Sequence, residues 1–131
     1  MRTVSADLDI SPGRAWALYA HPREWPAWAP HMRGAWGLTN GAGEVKPGAR
    51  GVVWFGLAPV PVKVTWVDEG HSWSWKVGPL EMDHIVEPRE DGGCRVALTV
   101  RGPGVLEDVS AALYGLPAQL FLRNMGRVGG G

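Results

Sequence analysis

The chain has 131 residues, and its 13 Lys plus Arg balance 13 Asp plus Glu, for a formal charge of zero. That length suits one domain with an unstapled core, and the lack of any basic run argues against nucleic acid or an anionic membrane surface as a partner. A single cysteine, Cys94, excludes an internal disulfide framework and points to a reducing, cytoplasmic setting.

Thr3 to Ile10 alternates, with Val4, Ala6, Leu8 and Ile10 against Thr3, Ser5, Asp7 and Asp9, which predicts a half-buried strand. Ser11-Pro12 opens a short helix, with Ser as N-cap and Pro at the first helical position. It runs to about Ala20 and buries Trp16 and Tyr19 or Ala15 and Leu18. His21-Pro22 restarts the chain as a second brief helix ending near Pro30. Strands follow: Gly34, Trp36 and Leu38 alternate with Arg33, Ala35 and Thr39, and Ala49 to Leu57 turns Val53 and Phe55 inward and Val52 and Trp54 outward. A turn at Ala58-Pro59-Val60 leads to Val62, Val64 and Trp66 on one face.

Ser72 to Glu87 reads as a hairpin turning at Gly78-Pro79. Its inner face carries Trp73, Trp75, Val77, Met82, His84 and Val86, while Ser72, Ser74 and Asp83 lie outside. After Glu90-Asp91-Gly92-Gly93 the last strand points Val96, Leu98 and Val100 inward and Thr99 outward, so Ser72, Ser74 and Thr99 are expected to face solvent. Past Pro103-Gly104, Leu106, Val109, Leu113, Leu116 and Leu120 form the apolar stripe of a long helix ending near Met125, with Pro117 as a kink. One domain over residues 1–128 and a disordered tail at 129–131 complete the reading. No run along the chain is long and apolar enough for stable membrane insertion, and no signal-peptide core is present.

Several passages resemble the START-related helix-grip superfamily, the polyketide cyclase/dehydrase and lipid-transport proteins. They are Ser11-Pro12-Gly13-Arg14-Ala15-Trp16, Trp25-Pro26-Ala27-Trp28-Ala29-Pro30, Lys46-Pro47-Gly48-Ala49, Trp73-Ser74-Trp75 with His84, and Asp91-Gly92-Gly93-Cys94-Arg95-Val96. The resemblance implies an α+β helix-grip fold: a curved, antiparallel, seven-stranded sheet wrapped around a long C-terminal helix, with two short helices between strands 1 and 2. It also implies an apolar cavity between sheet and helix, since members bind lipids, sterols, polyketides, quinones or aromatic compounds and some are enzymes.

His84 is the candidate catalytic group, as an acid or base near neutral pH or as a hydrogen-bond partner for a ligand carbonyl. The plainer reading is a core histidine satisfied by Tyr19, Arg123 or backbone. Tyr19, Trp28, Phe55, Trp66, Trp73, Trp75, Met82, Leu98, Leu113 and Leu116 are the expected ligand-lining residues, although tryptophans at such positions are equally at home as core. His21, His31, His71 and His84 fall in separate elements without ligand spacing, so no metal is expected, and no cofactor motif is present. The expected function is binding of a small hydrophobic molecule, aromatic or polyketide-like, with cofactor-independent cyclisation, dehydration or isomerisation as its chemistry if it is an enzyme. A non-catalytic carrier and an interaction module of the chaperone-activating kind stand as alternatives. The residues do not fix the oligomeric state.

Overall fold

The computed structural model describes residues 2–29, 32–102 and 120–130. Seven strands form one antiparallel sheet: β1 (Arg2–Leu8), β2 (Met32–Trp36), β3 (Arg50–Phe55), β4 (Ala58–Asp68), β5 (Ser72–Val77), β6 (Leu80–Pro88) and β7 (Cys94–Arg101). Their spatial order is β1-β7-β6-β5-β4-β3-β2, so consecutive strands from β2 to β7 are joined as a meander. Only β1 and β2 sit far apart, and helix α1 (Pro12–Ala20), a 3-10 turn (Pro22–Glu24) and helix α2 (Trp25–Trp28) carry the chain between them. A C-terminal helix, α3, covers 120–130 and packs on the sheet.

Local chemistry sets these elements. The Ser11 hydroxyl caps α1 by accepting from the Arg14 amide at 3.1 Å, with Pro12 beginning the helix where a missing N–H costs nothing. All four candidate helix residues, Ala15, Trp16, Leu18 and Tyr19, are buried. At the β5–β6 turn Gly78 takes a φ of 59° and Pro79 follows, the Gly-first order that suits a two-residue hairpin. The same order at Gly56-Leu57 joins β3 to β4. The expected turn at Ala58-Pro59-Val60 is therefore strand instead. Pro59 and Pro61 fit there because residues 58–62 pair only with β3, leaving β4 an open edge on which no amide is required.

The inner face holds the core. Val4, Ala6 and Leu8 of β1 meet Leu98, Val96 and Cys94 of β7, and β7 passes the same face to Val86 and His84 of β6. Val53, Val62 and Val64 continue it across β3 and β4. A bulge between Val64 and Trp66 then changes the register, so that Val67 lies opposite Trp73 and Trp66 lies opposite Ser74. Trp66 is consequently on the outer face and 42% exposed, against the alternation expected from its sequence.

The C-terminal end also differs from expectation. Helix α3 continues beyond Met125 through Gly129 and Gly130, where a structureless tail was anticipated. Small residues allow this close approach: a Cβ on Gly126 would stand 3.0 Å from Leu8 Cδ2, and one on Gly129 would stand 2.8 Å from Ile10 Cδ1. Packing thus outweighs the poor helix propensity of glycine. Leu122 and Met125 face the core, whereas Leu120, placed on the buried stripe by its spacing, is 54% exposed. Leu106, Val109, Leu113, Leu116 and the Pro117 kink lie outside the described residues.

Gly51 gives a test of the β2–β3 register. A Cβ there would meet the Trp36 carbonyl oxygen at 1.9 Å, a backbone atom that cannot swing aside, whereas Gly34 has open space. Gly51→Ala is expected to lower unfolding free energy by about 1–3 kcal/mol, and Gly34→Ala to stay within about 0.5 kcal/mol, both by urea denaturation. Equal effects would refute the register.

Candidate functional site

The strand pairing brings Trp73 and His84 directly opposite each other on the inner face. Their rings lie face to face, with centroids 3.8 Å apart and planes within 4°. Trp25 of α2 is parallel to Trp73 at 5.8 Å. Trp75 stands edge-on to Trp25, Trp73 and His84 at 5.4, 5.2 and 5.4 Å. Tyr19 meets His84 edge-on at 5.2 Å, and Trp28 meets Tyr19 at 5.6 Å. Offset and edge-to-face contacts of this kind match negative ring faces to positive ring edges.

The polar atoms of this cluster fall into two sets. The Trp28 and Trp25 indoles donate to the carbonyls of Leu18 and Tyr19 at 3.0 and 2.9 Å. Those carbonyls end α1 and have no partner within the helix, so the two indoles close it and dock α2 against it. The Tyr19 hydroxyl donates to the Ala97 carbonyl at 2.8 Å, tying α1 to β7. Burial raises the phenol far above its ordinary value. In the second set, the Trp73 and Trp75 Nε1 atoms are buried and have no acceptor among the described residues. Two buried donors without partners are costly, about 1–3 kcal/mol each.

His84 adds an acceptor to these donors. Its Nδ1 lies 3.2 Å from the Trp73 carbonyl, which can only accept, so Nδ1 carries the proton and donates. Nε2 is left with its lone pair, and no residue among those described bonds it. Burial pushes the imidazole down to about 3, overriding the upward pull of the Trp73 carbonyl and of Asp83. Near neutral pH burial therefore favours the neutral ring.

Asp83 does not assist it. The side chain points to the outer face, where it accepts from Ser74 Oγ and from Arg101 Nε and Nη2 at 2.5, 3.0 and 2.8 Å. Burial pulls this carboxyl up, but Arg101 and Ser74 together hold it below its ordinary value. Ser72, Ser74 and Thr99, expected to face solvent, are 5%, 0% and 6% exposed. Thr99 bonds the Thr3 hydroxyl at 3.0 Å, so the outer face has its own packed polar layer.

Of the expected lining residues, Tyr19, Trp28, Trp73 and Trp75 gather within the ring cluster around His84. Met82 lies opposite Trp75, half-buried, and Leu98 lies opposite His84. Phe55 is on the inner face but three strands away, and Trp66 is on the other side of the sheet. Leu113 and Leu116, expected to cover this wall, lie outside the described residues. Trp25 was not among the expected residues, although its place one turn before Trp28 at the start of a helix was the available signal. A cleft of about 360 Å³ elsewhere is lined by Ser5, Ala6, Asp7, Arg95 and Arg123. It shares no residue with the aromatic wall, and its Arg95 is engaged with Asp7 at 2.7 Å.

Residues 2–127 match the protein family described as polyketide cyclase/dehydrase and lipid transport. A comparison with curated protein sequences returns no match. Solved structures with the same fold include a Nitrosomonas europaea protein, 10% identical with a TM-score of 0.71, where the alignment covers 96% of this chain and 94% of that one. A Thermobifida fusca protein is 18% identical with a TM-score of 0.70, over 97% and 95% of the two chains. DynU16, from the dynemicin biosynthetic locus, is 17% identical with a TM-score of 0.71, over 95% of this chain and 45% of that one.

The buried imidazole predicts a pH dependence. The unfolded His84 protonates below its ordinary 6.5 and the folded one only near 3, so between these values the unfolded state holds the extra proton. Stability is then complete above pH 6.5 and falls by about 1.4 kcal/mol per unit as pH drops. His84→Asn is expected to remove this slope between pH 6 and 4.5, measured by denaturant titration across that range. An unchanged slope would place the histidine in contact with water.

Proposed function

This chain belongs to the polyketide cyclase/dehydrase and lipid transport family, and from that premise we propose that it binds a flat hydrophobic molecule carrying oxygen at the wall formed by Trp73, Trp75 and His84. Family membership points to hydrophobic-ligand binding in general. The finer reading rests on one observation: among the described residues the two indole N–H groups of β5 are buried without acceptors while those of Trp25 and Trp28 are satisfied. Buried donors persist in folded proteins where something completes them. A ligand carbonyl or ether oxygen between the two N–H groups supplies that acceptor. The His84 Nε2 lone pair then takes a ligand hydroxyl, and the indole edges that carry the N–H groups provide the apolar contact.

Binding is better supported than acid–base turnover. An imidazole held near 3 is a weak base and carries no proton to give near neutral pH. Cyclisation or dehydration assisted by shape and hydrogen bonding alone stays compatible with the site, and it needs no cofactor.

Anthraquinone and anthracene separate the hydrogen-bonding role from simple greasiness, since they share a shape and only the former carries carbonyls. Anthraquinone is expected to bind more tightly, and Trp73→Phe and Trp75→Phe each to weaken it about fivefold while leaving anthracene unchanged. Displacement of a fluorescent hydrophobic probe reads both affinities. Equal affinity for the two compounds, or no binding of either, would remove the indoles from the role assigned here.

A further inference from the structure

The outer face of β2, β3 and β4 has a different character from the polar layer on β5 to β7. Trp36 is 76% exposed, Trp54 is 44% exposed, and Leu57 at the hairpin tip is 95% exposed. Cross-strand pairing sets Trp36 beside Val52 and Pro61, and Trp54 beside Pro59, all on this one side. Next to this apolar surface runs a row of cations. Arg50 lies directly opposite Lys63, and Lys63 directly opposite Lys76, so three positive side chains from three strands stand abreast. All three are exposed, and none forms an ion pair among the described residues. Glu81, which follows Lys76 in the same row, is committed to Arg101 at 3.2 Å.

Like charges directly opposite on a sheet are unfavourable, and an exposed aromatic surface is unfavourable in water. One partner relieves both costs. We propose that this face docks on an anionic lipid surface, with Trp36, Trp54 and Leu57 seated at the headgroup boundary and Arg50, Lys63 and Lys76 against lipid phosphates and carboxylates. Tryptophan favours that boundary because its ring is apolar and its N–H is wet, and basic side chains are drawn to anionic leaflets. Trp36 and Trp54 would stack on bases as well, but Val52, Leu57, Pro59 and Pro61 make the rest of the patch aliphatic, which suits acyl chains better than single-stranded nucleic acid. A second copy of the chain leaves the cationic row without counter-charge, and a twofold axis through the row would set it against itself. The docking is peripheral, and no helix among the described residues is long and apolar enough to cross a membrane. The inference is independent of the ligand proposed for the inner face.

Flotation with phosphatidylcholine vesicles, with and without phosphatidylserine, tests it on the full chain. Binding is expected only with phosphatidylserine, with a blue shift of tryptophan emission and loss at high salt. Lys63→Gln and Lys76→Gln should each weaken it roughly fivefold, and Trp36→Ser with Trp54→Ser should abolish the blue shift. Arg23→Gln, on the opposite side of the sheet, should change little. The four variants alter exposed side chains, and melting curves check that each is folded. Three results would overturn the proposal: no binding by folded protein at low salt, equal loss in the Arg23 variant, or a response to single-stranded oligonucleotide or to self-association in place of vesicles.

Discussion

A neutral imidazole lying flat on an indole, deep in the sheet's inner face, is the constraint from which the site follows. Trp73 and His84 meet because they are cross-strand partners, and the Nδ1 bond to the Trp73 carbonyl fixes both the ring's orientation and its tautomer. Ring stacking on a charged imidazolium would compete with full hydration of that charge, and burial settles the competition in favour of the neutral form. The rest of the wall assembles around this pair. Tyr19, held by Ala97, closes one edge, and Trp75 closes another. Trp25, tethered to the end of α1, lies parallel to Trp73. Short helices with little propensity of their own are thereby fixed by indole-to-carbonyl bonds and by aromatic area, at a position where they face the site.

The same strands present opposite chemistry on their two sides. On β5, Trp73 and Trp75 are buried within the aromatic cluster, while Ser74 between them bonds Asp83 and Lys76 faces water. On β6, His84 is kept neutral inside while its neighbour Asp83 is kept charged outside by Arg101. Adjacent residues therefore reach different charge states, one neutral and one anionic, without sharing a hydrogen bond. Alternation alone accomplishes the separation.

Much of this was legible in the sequence. Alternation in Thr3 to Ile10, in Ser72 to Glu87 and in the last strand identifies the inner face, and Ser11-Pro12 marks the start of α1. The failures have physical causes. A bulge at Val64–Trp66 turns Trp66 outward, and a bulge leaves no mark in hydrophobic periodicity. The Gly56-Leu57 turn was missed because the prolines that follow look like a turn, although an open strand edge accommodates them equally well. Leu120 fits a stripe at helical spacing, but α3 sets Gly126 against Leu8 and Gly129 against Ile10, and the residues on that side are Leu122 and Met125. Gly129 and Gly130 read as a tail because propensity is local, whereas the gain from fitting against Ile10 and Leu18 is not. The cationic row is invisible along the chain for the same reason, since Arg50, Lys63 and Lys76 become neighbours only through strand pairing.

The contrast among the buried indoles carries the argument furthest. A core built only for stability would set such rings where a carbonyl can take the N–H, as it does for Trp25 and Trp28, or would use phenylalanine, which has no donor to satisfy. Trp73 and Trp75 find no acceptor among the described residues, and they sit beside His84, whose Nε2 is also unbonded within the described residues. Two buried donors without acceptors among the described residues, in one aromatic wall, concentrate a cost that ordinary cores distribute thinly or avoid. Local departures of that kind collect where a fold gives up stability for recognition. On the function proposed above, the two buried donors of β5, with His84 Nε2 beside them, match an oxygenated ligand better than a plain hydrocarbon.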